Sequence, residues 1–241
     1  MCGRFVLTTP GQALAAHFDA WAGNLVFAPR YNIAPTQQVV AVRVEQQRRR
    51  LVMLRWGLIP AWARDPAIGN RMINARAETA AEKPSFRSAL ARRRCIVPAS
   101  GFYEWKRDGV RKQPWYLHAP DEAPLAIAAL WDTWSGPDSA VTESCALLTT
   151  AANVTVFAIH DRMPVLLSPQ DYGRWLDPRI DDPRALESLL APAPEEALSA
   201  YRVSAAVGNA AHDDPRNIEA LGDSRDRAVS PLAVRPGPHN H

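Results

Sequence analysis

Short apolar runs of strand length, each cut off by proline or glycine, recur along this chain and limit what it can fold into. The 241 residues include 21 prolines and 12 glycines. GRFVLTT reads as a strand, and QQVVAVRVEQ (37–46) and RRLVMLRWGLI (49–59) read as two more around a polar turn. WYLHA (115–119), LAIAALWDTW (125–134), SCALLTT (144–150) and YRVSAAV (201–207) repeat the pattern. CIVPASGFYEWK (95–106) is a strand that Pro98 should interrupt.

Helical periodicity is confined to short stretches. GQALAAHFDAW (11–21) places Leu14, Phe18 and Trp21 on one face, and residues 73–94 read as helical over their second half. Residues 167–176 and 182–191 are expected as helices capped by Ser168 and Asp182. Strands and helices mix without strict βαβ alternation, so the expected class is α+β, with an antiparallel or barrel-like sheet. No repeat or long linker divides the chain, which predicts a single domain over 1–222. Beyond it lies a Ser-, Arg- and Pro-rich stretch (223–241), expected to be disordered.

Several function classes lose their anchors at this stage. The longest apolar run, APLAIAALW (123–131), is half of the ~18 residues a membrane span needs. The amino end shows no secretory pattern, which points to a cytoplasmic protein. Three cysteines (Cys2, Cys95, Cys145) without a CxxC pair suit a reducing compartment and give no zinc framework. Nucleotide-binding, zinc-protease and hydrolase signatures are missing, and no metal or cofactor is expected. The charge, in contrast, is segregated: residues 1–120 hold 19 Lys/Arg against 7 Asp/Glu, and residues 121–241 hold 9 against 18. Of the 28 basic residues 25 are arginine, whose planar fork suits phosphate. A polyanion partner fits this distribution, as do Arg-rich codon usage and internal ion pairing.

Cys2 carries the most chemistry. Removal of Met1 leaves an α-amine and a thiol on adjacent carbons. That amine has a reference pKa of about 7.7–8.0 against about 10.4 for lysine, so it is the better free nucleophile at neutral pH. Such an aminothiol forms a Schiff base with an aldehyde, and its thiol then closes a thiazolidine ring. It also serves in amide hydrolases, where the amine is the base for its own thiol. Glu104 sits among Phe102, Tyr103 and Trp105, where desolvation should raise its pKa into the range of general acid–base work. The alternative for Glu104 is an outward position paired with a cation. His160, in VFAIHDRMPVLL, is a candidate proton shuttle or a satisfied structural histidine. Asn74, Arg76 and Glu78 form a polar cluster, which a helix start capped by Asn74 would also explain. Arg4, Arg76, Arg87 and Arg162 are candidate phosphate ligands, and Trp56, Trp62 and Phe86 candidate base-stacking groups.

Taken together, MCGRF, YNIAPTQ (31–37), RWGLIPAW (55–62), NARAET (74–79), GFYEW (101–105) and IHDRMPV (159–165) resemble the SRAP family (SOS response-associated peptidase). All six motifs stand in register over residues 2–220. The resemblance implies one α+β domain with a β-barrel-like core and a groove for single-stranded DNA carrying abasic sites. Cys2 would form a covalent link to the ring-opened sugar, Asn74 would position it, Glu104 would assist ring opening, and His160 would move protons. Arg4, Arg76 and Arg162 would hold flanking phosphates, with Arg87 continuing the track; Pro35 and the Trp56–Trp62 loop would line the groove. A monomer without cofactor is expected. Two other functions share these residues: a peptidase acting through Cys2, and a module that only binds single strands. The segment VGNAAHDDPRNIEAL departs from the family pattern at the edge of the groove.

Overall fold

The computed structural model describes residues 2–137 and 140–222; the stretch 223–241, expected to be disordered, lies outside the described residues. The strands are β1 (Phe5–Leu7), β2 (Arg30–Ile33), β3 (Gln38–Glu45), β4 (Arg48–Trp56), β5 (Asn74–Arg76), β6 (Arg94–Ala99), β7 (Gly101–Asp108), β8 (Arg111–His118), β9 (Leu125–Ser135), β10 (Val141–Ala151), β11 (Arg162–Pro164) and β12 (Ser199–Arg202). Five short helices interleave with them: α1 (Gly11–His17), α2 (Ala77–Ala80), α3 (Arg87–Arg92), α4 (Val154–Phe157) and α5 (Tyr172–Leu176).

The strands build a closed barrel and an open sheet. In the barrel β10, β4, β3, β6 and β9 pair in that order and β9 returns to β10. Every pairing is antiparallel except β4 with β10, so the barrel is mixed and largely antiparallel, as expected. Closure removes the unpaired edges that an open sheet of these strands would expose. Val42, Leu54, Ile96, Leu130 and Leu147 are among its fully buried residues, each contributing about 1.5–3 kcal/mol. The open sheet runs β12-β8-β7-β1-β2. Phe5 of β1 meets Trp56 of β4 with ring centroids 5.2 Å apart, locking the sheet to the barrel.

β10 organises the ground beneath the site. Its residues 144–145 pair β4 and its residues 147–149 pair β5, both in parallel, while β9 and then β11 occupy its other edge. Thr149 thus lies between Arg76 on one side and Pro164 on the other. In the open sheet Phe5 pairs Phe102, and the Tyr103 N–H donates to Arg4 O at 3.0 Å. That register carries the amino end of the chain toward Glu104. Gly101 opens β7 because a side chain there would come within 2.5 Å of the Tyr116 ring and 2.6 Å of Leu117 O.

The elements differ from the sequence reading at several points. Pro98 does not interrupt its strand; it pairs with Ala126 inside β6, and the break falls at Ser100. Helix α1 stops at His17 because Asp19 turns the chain with φ 48, and Trp21 emerges half exposed against Arg50 instead of joining the core. Residues Pro183–Leu190 wind as a 3₁₀ helix capped by Asp182, as expected of that residue, whereas Ser168 donates to Asp171 instead of capping. The strand expected at 201–207 is β12, shifted to Ser199–Arg202, and Ala205–Gly208 forms a 3₁₀ turn.

Candidate active site

Four polar residues from distant segments converge where the open sheet meets the end of β10. Cys2 is fully buried, and the Asn74 Nδ2 donates to its carbonyl at 2.9 Å. Asn74 is therefore a strand residue of β5 gripping the amino end, not a helix cap. Its Oδ1 is buried without a hydrogen-bond partner among the described residues, an acceptor left unsatisfied. Burial pushes the Cys2 thiol well above its ordinary pKa, and the negative charge of Glu104 adds to the rise.

Glu104 is 2% exposed on β7, opposite Trp115. Burial raises its pKa, while the positive charge at the amino end of the chain and that of His160 oppose the rise. The carboxyl thus behaves as the sequence predicted, and is not an outward residue. Glu104 and His160 share a cleft of about 300 Å³ that Trp105, Arg107, Lys112 and Gly208 complete.

His160 follows α4 on the same helical turn, its N–H donating to Val156 O at 2.8 Å. Its Nδ1 accepts the Arg162 backbone N–H at 3.0 Å and also lies 3.0 Å from Asp161 Oδ1. Both contacts cannot be hydrogen bonds of a neutral ring. The fixed backbone donor sets Nδ1 as acceptor, so Nε2 is the ring nitrogen left to donate.

The arginines divide into engaged and available groups. Arg162 pairs its two Nη atoms with the Glu78 carboxylate at 2.5 and 2.8 Å and also donates to Thr149 O at 2.7 Å. That pair holds the Glu78 carboxyl below its ordinary pKa. Arg4 donates to Asn32 Oδ1 and Val207 O, both at 2.9 Å, and to Gly208 O at 3.2 Å. Arg4 thus ties β1 to the C-terminal segment, and its charge meets no carboxylate among the described residues. Arg76 and Arg87 are exposed and make no salt bridge among the described residues.

Among the aromatic candidates, Trp62 is 59% exposed and borders a second, larger hollow with Arg64, Asn70 and Arg71. Pro35 is half-buried in the loop after β2. Trp56, in contrast, is fully buried and donates its indole N–H to Ile73 O at 2.9 Å, so it belongs to the core and not to a groove. Strand alternation in β4 turns it inward with Leu54. Phe86 likewise packs half-buried against the core.

The sequence reading missed the C-terminal clasp. Asn32 is fully buried, and its Nδ2 lies 2.9–3.1 Å from the carbonyls of Val207, Asn209 and His212. Asp213 accepts from the Tyr31 and Asn32 N–H groups and pairs with Arg30. The departing segment at 207–221 is thereby stitched onto β2. The reading also missed Arg107 and Lys112, for which the turn beginning at Gly109 was the available signal.

This geometry defines a class: small mixed barrels in which a carboxyl and a histidine share a cleft, with an asparagine gripping a buried cysteine near the amino end. The chain belongs to the SOS response associated peptidase (SRAP) family, whose model matches residues 1–210. It is 41% identical over 223 residues to the abasic site processing protein YoqW of Bacillus subtilis, covering 91% of this chain and all of that one. Identity to the abasic site processing protein YedK of Escherichia coli is 32% over 228 residues, covering 92% and 100%. A crystal structure of a protein from Bacteroides thetaiotaomicron superposes with a TM-score of 0.84 at 26% identity, covering 91% of this chain and all of that one. No helix among the described residues is long and apolar enough to cross a membrane.

Proposed function

We propose that this protein processes abasic sites by capturing them, in single-stranded DNA, as a covalent adduct of Cys2. The observation that carries the reading is the convergence of Cys2, Asn74, Glu104 and His160, with the cysteine held by its own carbonyl. The reaction requires removal of Met1, which turns the Cys2 nitrogen from an amide into a primary amine. That amine attacks C1′ of the ring-opened deoxyribose, and loss of water gives a Schiff base. The thiol sulfur then adds to the imine carbon while its proton passes to the nitrogen, closing a thiazolidine. One water is lost overall, and no cofactor enters.

Each neighbour has a task in this scheme. Glu104, its carboxyl pKa raised by burial, gives a proton to the sugar ring oxygen as the ring opens. His160 Nε2 moves protons to and from the carbinolamine. Asn74 holds the backbone and offers Oδ1 to the new amine or the opened sugar. Arg76 and Arg87 hold flanking phosphates, with Arg162 joining them once released from Glu78, while Arg4 supplies positive potential beneath the amino end. Trp62 and Pro35 support the strand.

A Schiff base is also the intermediate of strand-cleaving lyases, and ring closure by the thiol diverts it from elimination. The buried thiol suits this order of events, because the first bond forms at nitrogen. A peptidase acting on protein substrates would need a thiolate, which burial disfavours. We assign the activity to residues 1–222 acting as a monomer in the compartment that holds the DNA.

The test is a denaturing gel of protein mixed with a labelled single strand bearing one abasic site, beside an intact strand. Wild type should give a denaturant-resistant adduct only with the abasic strand, and Cys2→Ala none. An adduct that persists in Cys2→Ala refutes the mechanism.

A further inference from the structure

The cleft that holds Glu104 and His160 has a basic wall to which no phosphate role has been given. Arg107 and Lys112 sit directly opposite each other in the β7–β8 hairpin, and both line that cleft. The hairpin closes through Gly109, whose φ of 56 permits the tight turn, so the two cations are held at fixed cross-strand spacing. Both are exposed, and neither makes a salt bridge among the described residues.

Arg76 is not among the residues that line this cleft. Arg76 belongs to β5, on the barrel side, against Thr149 of β10. Arg107 and Lys112 belong to the open sheet. A strand whose abasic sugar reached Cys2 would meet Arg76 from the barrel and the two hairpin cations from the open sheet.

We propose that Arg107 and Lys112 form a phosphate clamp that grips the strand on one side of the lesion only, the side away from Arg76. The proposal rests on the DNA-capture reading above. It makes the site polar along the strand: losing the clamp weakens one flank and spares the other. Two single-strand phosphate contacts add about 1.4 to the slope of log rate against log salt. Between 50 and 200 mM salt that slope amounts to roughly a sevenfold difference.

The experiment uses three abasic oligonucleotides: one with both flanks, one with only the 5′ flank, and one with only the 3′ flank. Adduct formation at sub-saturating protein is compared for wild type, Arg107→Ala/Lys112→Ala and the charge-preserving Arg107→Lys/Lys112→Arg. The alanine variant should lose rate with one single-flank strand and match wild type within twofold on the other. Its salt slope should be shallower by about 1.4, and the charge-preserving variant should restore it. Wild-type rates on both single-flank strands, or equal losses on both, overturn the clamp. No adduct from wild type on the two-flank strand overturns the underlying capture reading instead.

Discussion

Replacing Asn32 by alanine tests how the C-terminal segment is held over the site. Its Nδ2 serves three carbonyls, and its Oδ1 accepts from Arg4. The cost is concentrated in two of these bonds. Val207 O keeps the Arg4 Nη1 as donor, and His212 O keeps Asn217 Nδ2. What is lost outright is the bond from the Arg4 guanidinium, worth about 1.5–3 kcal/mol, and the donor to Asn209 O, worth about 1 kcal/mol at that partly hydrated position. Asn32→Ala should therefore destabilise the fold by about 3 kcal/mol. For a domain of this size that lowers Tm by roughly 6–12 °C. Asn32→Asp should be no better, because it keeps the acceptor for Arg4 but turns a carboxylate toward three carbonyls. Thermal unfolding followed by circular dichroism reads the loss, and limited proteolysis should cut between residues 205 and 222 first. An Asn32→Ala protein melting within 2 °C of wild type, with an uncut C-terminal segment, refutes the reasoning.

Two further perturbations follow from the titrating groups. Glu104→Gln should slow adduct formation yet raise Tm at neutral pH. Burial lifts the folded carboxyl pKa above its unfolded value, so Glu104 favours the fold at low pH and that benefit is lost as pH rises through the folded pKa. The Tm gap between variant and wild type should accordingly shrink as pH falls below the ordinary carboxylate range; a gap that stays constant or widens there contradicts the assignment. Glu78→Gln should free the Arg162 guanidinium for phosphate and tighten abasic single-strand binding by about two- to fivefold, the range of a half-exposed ion pair. Weaker binding in a salt titration would show that Glu78 aligns Arg162 instead of competing for it. Because the pair lowers the Glu78 pKa, it stays intact above the ordinary carboxylate range and dissolves only as pH falls through the lowered value.

The barrel was legible in strand-length apolar runs, since β3 and β4 occupy almost the stretches their alternation marked. Pro98 misled because its missing N–H says nothing about pairing through its carbonyl and side chain in a buried strand. Trp21 misled because a left-handed turn at Asp19, invisible to helical periodicity, rotates it out of the core. Chemistry marked Cys2, Glu104 and His160 before any fold existed, whereas Asn74 stood in a polar cluster that a helix cap also explained, and only the six motifs gave it a positioning role. The partners of the arginines were not legible. Whether Arg162 meets a phosphate or Glu78, and whether Arg4 faces DNA or the carbonyls of 207–208, depends on contacts spanning 84 and about 200 positions of chain. No local pattern encodes contacts at that separation.

Asn74 grips the carbonyl of Cys2 and leaves its side chain alone. Address and reagent are thereby separate: the backbone delivers the terminal nitrogen, and the second side chain decides what becomes of the imine. Glycine there would present a bare amine for reversible capture, and serine at most the same Schiff-base chemistry. The scaffold is in that sense a socket for an interchangeable terminal warhead, one whose chemistry can be rewritten at a single codon without moving the hand that holds it.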